Sequence, residues 1–368
     1  MDTQDDRVPV TLLTGFLGAG KTTLLNHLIR DPGAGRIAVI MNEFGDVGLD
    51  HDLIEESTEE TILMQSGCLC CTFRGDIATT LSSLMERRKQ GELSFERVVI
   101  ETTGIADPGP ILHTLVVDDL IAPAYRMDGV VTLADAATGP RTLESQPEAV
   151  HQIAVADLIV LTKTDLVTAS ECEDFEKQLE AINGTAHRVR AEHGHVPTGT
   201  LFGLSALRQG ATPEDISSWL GAHSDQERGH HDHAHGNHGH HHHGDHHHGH
   251  NINSASIEVS DPIPASVFDF WLDTLITFRG PDILRLKGIV HVEGMEWPFV
   301  LHGVQHIFDA PVPLKSWSGK DTTSRVVVIA RDLEKEDLKV SLEVLRLRLK
   351  ETDKSTEGMM VHATEMPF

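Results

Sequence analysis

Cysteine is scarce, with four in 368 residues, and three of those stand together at Cys68, Cys70 and Cys71. Neighbours so close rarely build a disulfide framework, and thiols clustered this way point to metal or redox chemistry. The fourth, Cys172, falls in a helical pattern and reads as a lone structural thiol. Positive charge is also short. Against 56 Asp and Glu there are 30 Lys and Arg, a formal charge of -26. A surface of that sign repels phosphate backbones and anionic bilayers, so neither nucleic acid nor a membrane is an expected partner. No apolar run approaches the ~18 residues of a membrane helix. The acidic stretch Met1–Asp6 leads straight into a strand-like run, unlike a secretory signal, so the expected compartment is the cytoplasm. No internal repeat is visible. What remains is an ordinary globular composition, 39% hydrophobic and 23% charged, in a chain long enough for two domains.

Short apolar runs alternate with amphipathic stretches from residue 8 to about residue 210. Val8–Thr14, Ile37–Met41, Val98–Glu101, Gly129–Ala134 and Leu158–Thr162 are each a strand long and apolar throughout, as parallel strands buried on both faces should be. Helical patterns at Lys21–Arg30, Asp76–Lys89 and Cys172–Ile182 separate them. The order implies a doubly wound α/β domain over residues 1–220. Residues 221–255 turn abruptly to His, Gly and Asp with no apolar face, which predicts a flexible linker. Residues 256–350 then carry strand patterns at Ile257–Ser260, Leu284–Glu293, Phe299–Phe308 and Val326–Ala330. Helices are expected near Ala265–Thr277 and Glu334–Leu347, giving a second, smaller α+β domain. The polar tail, 351–368, is expected to be mobile.

Gly15-Phe16-Leu17-Gly18-Ala19-Gly20-Lys21-Thr22 fits the phosphate-loop pattern G-x-x-x-x-G-K-[ST]. Glycines let successive backbone N–H groups of the loop face a phosphate, and the helix that follows adds its positive end. Lys21 supplies a point charge to the β- and γ-phosphates, and the Thr22 hydroxyl is a natural Mg²⁺ ligand. The loop also sits between a strand pattern and a helix pattern, which is the context it needs. A second strand ends in Glu101, followed by Thr102, Thr103 and Gly104. A carboxylate at that tip can hold a water on Mg²⁺ or orient the attacking water, and Gly104 lets an N–H approach the γ-phosphate.

After the fifth strand comes Thr162-Lys163-Thr164-Asp165. An aspartate there can accept from N1–H and the exocyclic amine of guanine, whereas adenine would leave it unpaired. The Lys163 stem would pack over the base. Thr162 stands where the usual signature has Asn, which weakens one supporting contact but leaves the discriminating carboxylate.

Three thiols within four residues suit zinc or another soft cation, and would have to converge in a tight loop just before the helix at Asp76–Lys89. Three ligands leave one tetrahedral position open for hand-over, and Glu43 or Asp46 could fill it in one nucleotide state. Residues 230–250 hold 13 histidines, among them His230, His231, His233 and His235. Imidazoles on a flexible segment bind Zn²⁺, Ni²⁺, Co²⁺ or Cu²⁺ in several geometries, which describes a reservoir or an inert solvated linker.

Together these stretches resemble the CobW-type metallochaperone GTPases, which include the zinc-regulated GTPase chaperones. The likeness is carried by Gly15–Thr23, Asn42–Gly45, Gly67–Thr72, Glu101–Pro108 and Thr162–Asp165, and in the second domain by Arg285–His291 and Val304–His306. The resemblance implies GTP hydrolysis coupled to metal delivery to a client metalloprotein, with a nucleotide-dependent homodimer as a further expectation. It assigns Lys21 and Glu101 to catalysis, and Gly15, Gly18, Ala19, Gly20, Lys21, Thr22, Thr23, Gly104, Lys163 and Asp165 to Mg-GTP. It gives the transported metal to Cys68, Cys70 and Cys71. Thiolate ligation favours zinc over cobalt. The competing readings are a cobalt chaperone for cobalamin synthesis, a nickel-loading GTPase, and a His-rich metal buffer with vestigial GTPase activity.

Overall fold

The computed structural model describes residues 6–42, 61–63, 69–73, 77–192, 194–206, 212–221, 252–305, 307–308, 311–315, 317 and 321–348. The first domain runs β1 (Val8–Gly15), α1 (Lys21–Arg30), β2 (Ile37–Asn42), β3 (Thr61–Leu63), β4 (Leu69–Phe73), α2 (Ile77–Lys89), β5 (Arg97–Glu101) and α3 (Gly109–Val117). It continues with β6 (Tyr125–Asp135), α4 (Gly139–Ser145), α5 (Pro147–Ala154), β7 (Leu158–Thr162), α6 (Ala169–Ile182), β8 (His187–Arg190) and α7 (Pro213–Trp219). Its sheet has the order β3-β4-β2-β5-β1-β6-β7-β8, parallel except for the antiparallel β3–β4 pair.

The two-residue period of a strand sends alternate side chains to opposite faces. Val8, Val10 and Leu12 of β1 therefore pack on one face, with Leu81 and Leu84 of α2 and Ile111 and Leu115 of α3. Leu13 goes to the other face, against Leu24, Leu25 and Leu28 of α1. Farther along, Ile159 and Leu161 of β7 meet Ile153 of α5 and Phe175 and Leu179 of α6. Both faces are covered, which is why these strands read as unbroken apolar runs. Cys172 is buried in that last cluster as a free thiol, and burial pushes it above the ordinary thiol range.

The second domain runs β9 (Ile252–Val259), α8 (Ala265–Arg279), β10 (Ile283–Val290), β11 (Phe299–Val304), β12 (Ile307–Phe308), β13 (Val312–Pro313), β14 (Ser324–Arg331) and α9 (Lys335–Glu343). Its antiparallel sheet has the order β12-β11-β10-β14-β9, with β13 on β11. Ala255, Ile257 and Val259 of β9 alternate onto the face covered by Trp271 and Leu275 of α8 and Leu338 and Leu342 of α9. The opposite face meets the first domain. There Arg285 and Lys287 of β10, both 1% exposed, reach the buried Asp157. Lys287 Nζ lies 3.2 Å from Asp157 Oδ1 and donates to the Trp219 carbonyl at 3.1 Å. Leu284, Val304 and Ile307 join the core of the first domain directly.

Candidate nucleotide site

Sheet order and register build the site. In a parallel sheet the ligand crevice lies beyond the carboxyl ends of the strands. β1 lies between β5 and β6, with Leu13 opposite Glu101 and Gly15 opposite Leu133. The loop that leaves β1 is thus flanked by the ends of both neighbours. Gly15 has φ 140°, and a Cβ there would lie 2.6 Å from the Leu133 carbonyl oxygen. No side chain fits. Gly18 and Gly20 also take left-handed φ values, 76° and 98°, which lets the backbone curl before α1 begins at Lys21. Ala19 is buried beneath the loop, while Thr22 and Thr23 are exposed.

Lys21 folds back over its own loop, its Nζ donating to the carbonyls of Gly15 at 2.7 Å and Phe16 at 3.3 Å. Burial pushes this ammonium below the ordinary lysine range, and the charge of Glu101 pulls the other way. Thr22 Oγ1 donates to Glu101 Oε1 at 3.3 Å. A hydroxyl from the helix and a carboxylate from the strand end therefore converge, a donor set of hard oxygens that fits Mg²⁺. Beyond Glu101, the chain is pinned to β1: Thr102 N donates to the Leu13 carbonyl at 2.9 Å, and the Thr102 and Thr14 hydroxyls bond at 2.8 Å. Gly104 then passes so close that a Cβ would lie 2.6 Å from Leu17 N.

The residues expected to meet a base lie around the ends of β6 and β7. The Thr162 hydroxyl donates to the Ala19 carbonyl at 2.7 Å, so the short side chain ties β7 to the phosphate loop where a weakened contact was expected. Lys163 holds a left-handed φ of 54°, and its Nζ donates to Asp135 Oδ2 at 2.8 Å. Burial pushes the Asp135 carboxyl up, but the bonds from Lys163, Thr138 and Ala137 outweigh it and hold the group below the usual carboxylate range. Asp165 stands exposed on the short turn Thr164–Leu166.

Two residues that organise this site, Asp135 and Gln152, lie outside the stretches singled out in the sequence, and Gln305 falls within the Val304–His306 stretch with no role assigned to it. Asp135 carries the one signal available, an acid at a strand tip. The two glutamines act across the fold, and the sequence gives no signal of what either one contacts.

The thiol cluster departs from the tight loop expected of it. Cys70 and Cys71 run in β4, paired in parallel with Val39 and Ile40 of β2. Leu69, Thr72 and Phe73 favour that strand, and pairing on β2 satisfies the backbone. Cys68 lies outside the described residues, as do Glu43, Asp46, His230, His231, His233 and His235. Among the described residues no three His, Cys, Asp or Glu side chains form a metal site.

Two family models match in tandem: the CobW/HypB/UreG nucleotide-binding domain over residues 9–190 and the cobalamin synthesis protein cobW C-terminal domain over residues 252–346. The chain is 32% identical to the zinc chaperone YjiA of Escherichia coli, over 92% of this chain and 99% of the relative. It is 30% identical to the zinc-regulated GTPase metalloprotein activator 1 of Schizosaccharomyces pombe, over 91% and 85% of the two chains. The crystal structure of Zn(II)-bound YjiA superposes with a TM-score of 0.70 at 28% identity, covering 93% of this chain and 99% of that one. Likeness of this extent runs through both domains, and the phosphate loop with its Thr22–Glu101 pair is intact; the chain belongs to the CobW/HypB/UreG family of P-loop GTPases.

Proposed function

We propose that this GTPase is a zinc chaperone, which holds the ion at Cys68, Cys70 and Cys71 and releases it to a client metalloprotein under control of the nucleotide. The loop N–H groups and Lys21 bind the phosphates, Gly104 offers its N–H to the γ-phosphate, and Asp165 reads guanine. Thr22 and Glu101 would hold Mg²⁺, which when bound offsets negative charge on the phosphates. The histidines of residues 230–250 are proposed to collect metal for delivery.

One observation carries the reading. Cys71 pairs with Ile40 of β2, and Ile40 pairs with Ile100 of β5; one row on, Thr72, Met41 and Glu101 align in the same way. The thiol strand is therefore separated from the catalytic carboxylate by a single strand, about 10 Å at the usual strand spacing. A shift at the end of β5 or β2 is felt directly in β4. The similarity to relatives named as zinc chaperones supports the choice of zinc.

The test is zinc-stimulated GTP turnover. Zinc should accelerate phosphate release by the intact protein and leave a Cys68→Ser, Cys70→Ser, Cys71→Ser variant at its basal rate. Stimulation that survives in the variant would place the responsive metal elsewhere.

A further inference from the structure

We infer that Gln305, in the second domain, is a positioning residue for the loop after β5, and that through it the nucleotide site is tied mechanically to the second domain. The inference rests on the GTPase assignment, because the loop matters only if a nucleotide lies against Gly104.

The loop is gripped by two amides. Near its start, Gln152 of α5 donates Nε2 to the carbonyls of Gly104 and Ala106, each at 3.2 Å. At its far end, Asp107 Oδ1 accepts from Gly109 N at 2.9 Å, which opens α3, and from Gln305 Nε2 at 2.6 Å. Gln305 Nε2 also lies 3.1 Å from Nε2 of His151, the residue before Gln152. Two adjacent residues of α5 thus engage both ends of the loop, His151 both through Gln305 and directly, its Nδ1 lying 4.0 Å from Asp107 Oδ1.

The surroundings of Gln305 are shaped for this contact. It sits between β11 and β12 with a left-handed φ of 55°, unfavourable for any residue with a side chain. Its backbone N–H is anchored on the Leu284 carbonyl at 3.0 Å, and the residue is 8% exposed. On the other side, a Cβ on Gly109 would lie 1.7 Å from Gln305 Oε1, so only glycine admits the amide at the start of α3. The grip is also incomplete. Gln152 Oε1 is buried with no hydrogen-bond partner among the described residues, a cost that makes this loop position easier to leave. A loop held by one half-satisfied amide and one interdomain amide would pass any nucleotide-dependent movement on to the second domain.

The test uses the full chain and two variants. Gln305→Met keeps the length and removes the donors. Asp107→Ser keeps a cap for α3 but is too short to reach Gln305, and its partly exposed position makes it the safer variant to fold. Steady-state GTP turnover is measured alongside amide hydrogen exchange over residues 283–305, with GDP and with a non-hydrolysable GTP analogue. Both variants should lose about five-fold in kcat with KM for GTP unchanged. The wild type should exchange differently with the two nucleotides over residues 283–305, and the variants should lose that difference. A wild type that turns over GTP while both variants keep its kcat and its nucleotide-dependent exchange overturns the coupling alone. So does a wild type whose exchange over this stretch ignores the nucleotide. Absence of GTP turnover in the wild type overturns the assignment beneath it as well.

Discussion

Thr162 shows how a single atom can stand in for an expected side chain. Its hydroxyl reaches the Ala19 carbonyl, joining the end of β7 to the phosphate loop. Thr162→Ala should weaken GDP binding by about 1 kcal/mol, roughly five-fold in Kd by calorimetry, whereas Thr162→Asn should fall within about two-fold of the wild type because an amide can serve the same carbonyl. Glu101 makes a stronger demand. Glu101→Gln keeps an oxygen for Thr22 but removes the charge, and should slow phosphate release by about 100-fold or more. The strand–loop–helix course of Gly15–Thr22 was legible in the sequence because the phosphate-loop pattern fixes its surroundings, and Glu101 was legible separately as an acid at a strand tip. The roles of Gln152 and Gln305 were not legible, although Gln305 stands in the Val304–His306 stretch. Their roles come from contacts spanning 46 to 198 residues of chain, which no local spacing announces.

At the scale of elements, the parallel strands and α1 followed from apolar runs and the phosphate loop. The departures have local physical reasons. Phe299–Phe308 reads as one strand, yet it breaks into β11 and β12 because Gln305 turns left-handed between them. The cysteine cluster hid β4, since thiols drew attention from the strand-forming Leu69, Thr72 and Phe73 around them. α6 begins at Ala169, three residues before the helix expected at Cys172, because Thr168 and Glu171 form a reciprocal cap. Glu171 N donates to Thr168 Oγ1 at 3.3 Å, and Thr168 N donates to Glu171 Oε2 at 2.8 Å. Thr168→Ala should therefore cost about 1 kcal/mol, visible as a lower Tm.

Over the whole molecule, the two domains are locked by a buried charge cluster. Burial pushes the Asp157 carboxyl up, but Arg285 and then Lys287 outweigh it and bring it down to about 2. Its folded value lies below the ~3.9 of an unfolded aspartate. The stabilisation is therefore full above about pH 4 and is lost as pH falls through about 2. Lys287, lowered by burial to about 8 with Asp157 pulling it back up, is charged below that pH. Asp157→Asn would leave Arg285 and Lys287 facing a neutral amide, and should destabilise the chain by about 3–5 kcal/mol in urea titration and remove the share of stability that Asp157 loses between about pH 4 and about 2. The second domain is thus docked firmly by Asp157 and touched more lightly, at Gln305, by the loop after β5. On the proposed function, such an arrangement would let hydrolysis reach outward to the second domain and, through β2, to the strand that carries Cys70 and Cys71. Zinc affinity of the full chain, titrated against a competing chelator with GDP and with a non-hydrolysable GTP analogue, addresses that link directly. A change of about ten-fold or more between the two nucleotides, abolished by Cys68→Ser, Cys70→Ser, Cys71→Ser, is the expected result; equal affinities in both states would contradict a nucleotide-controlled zinc site.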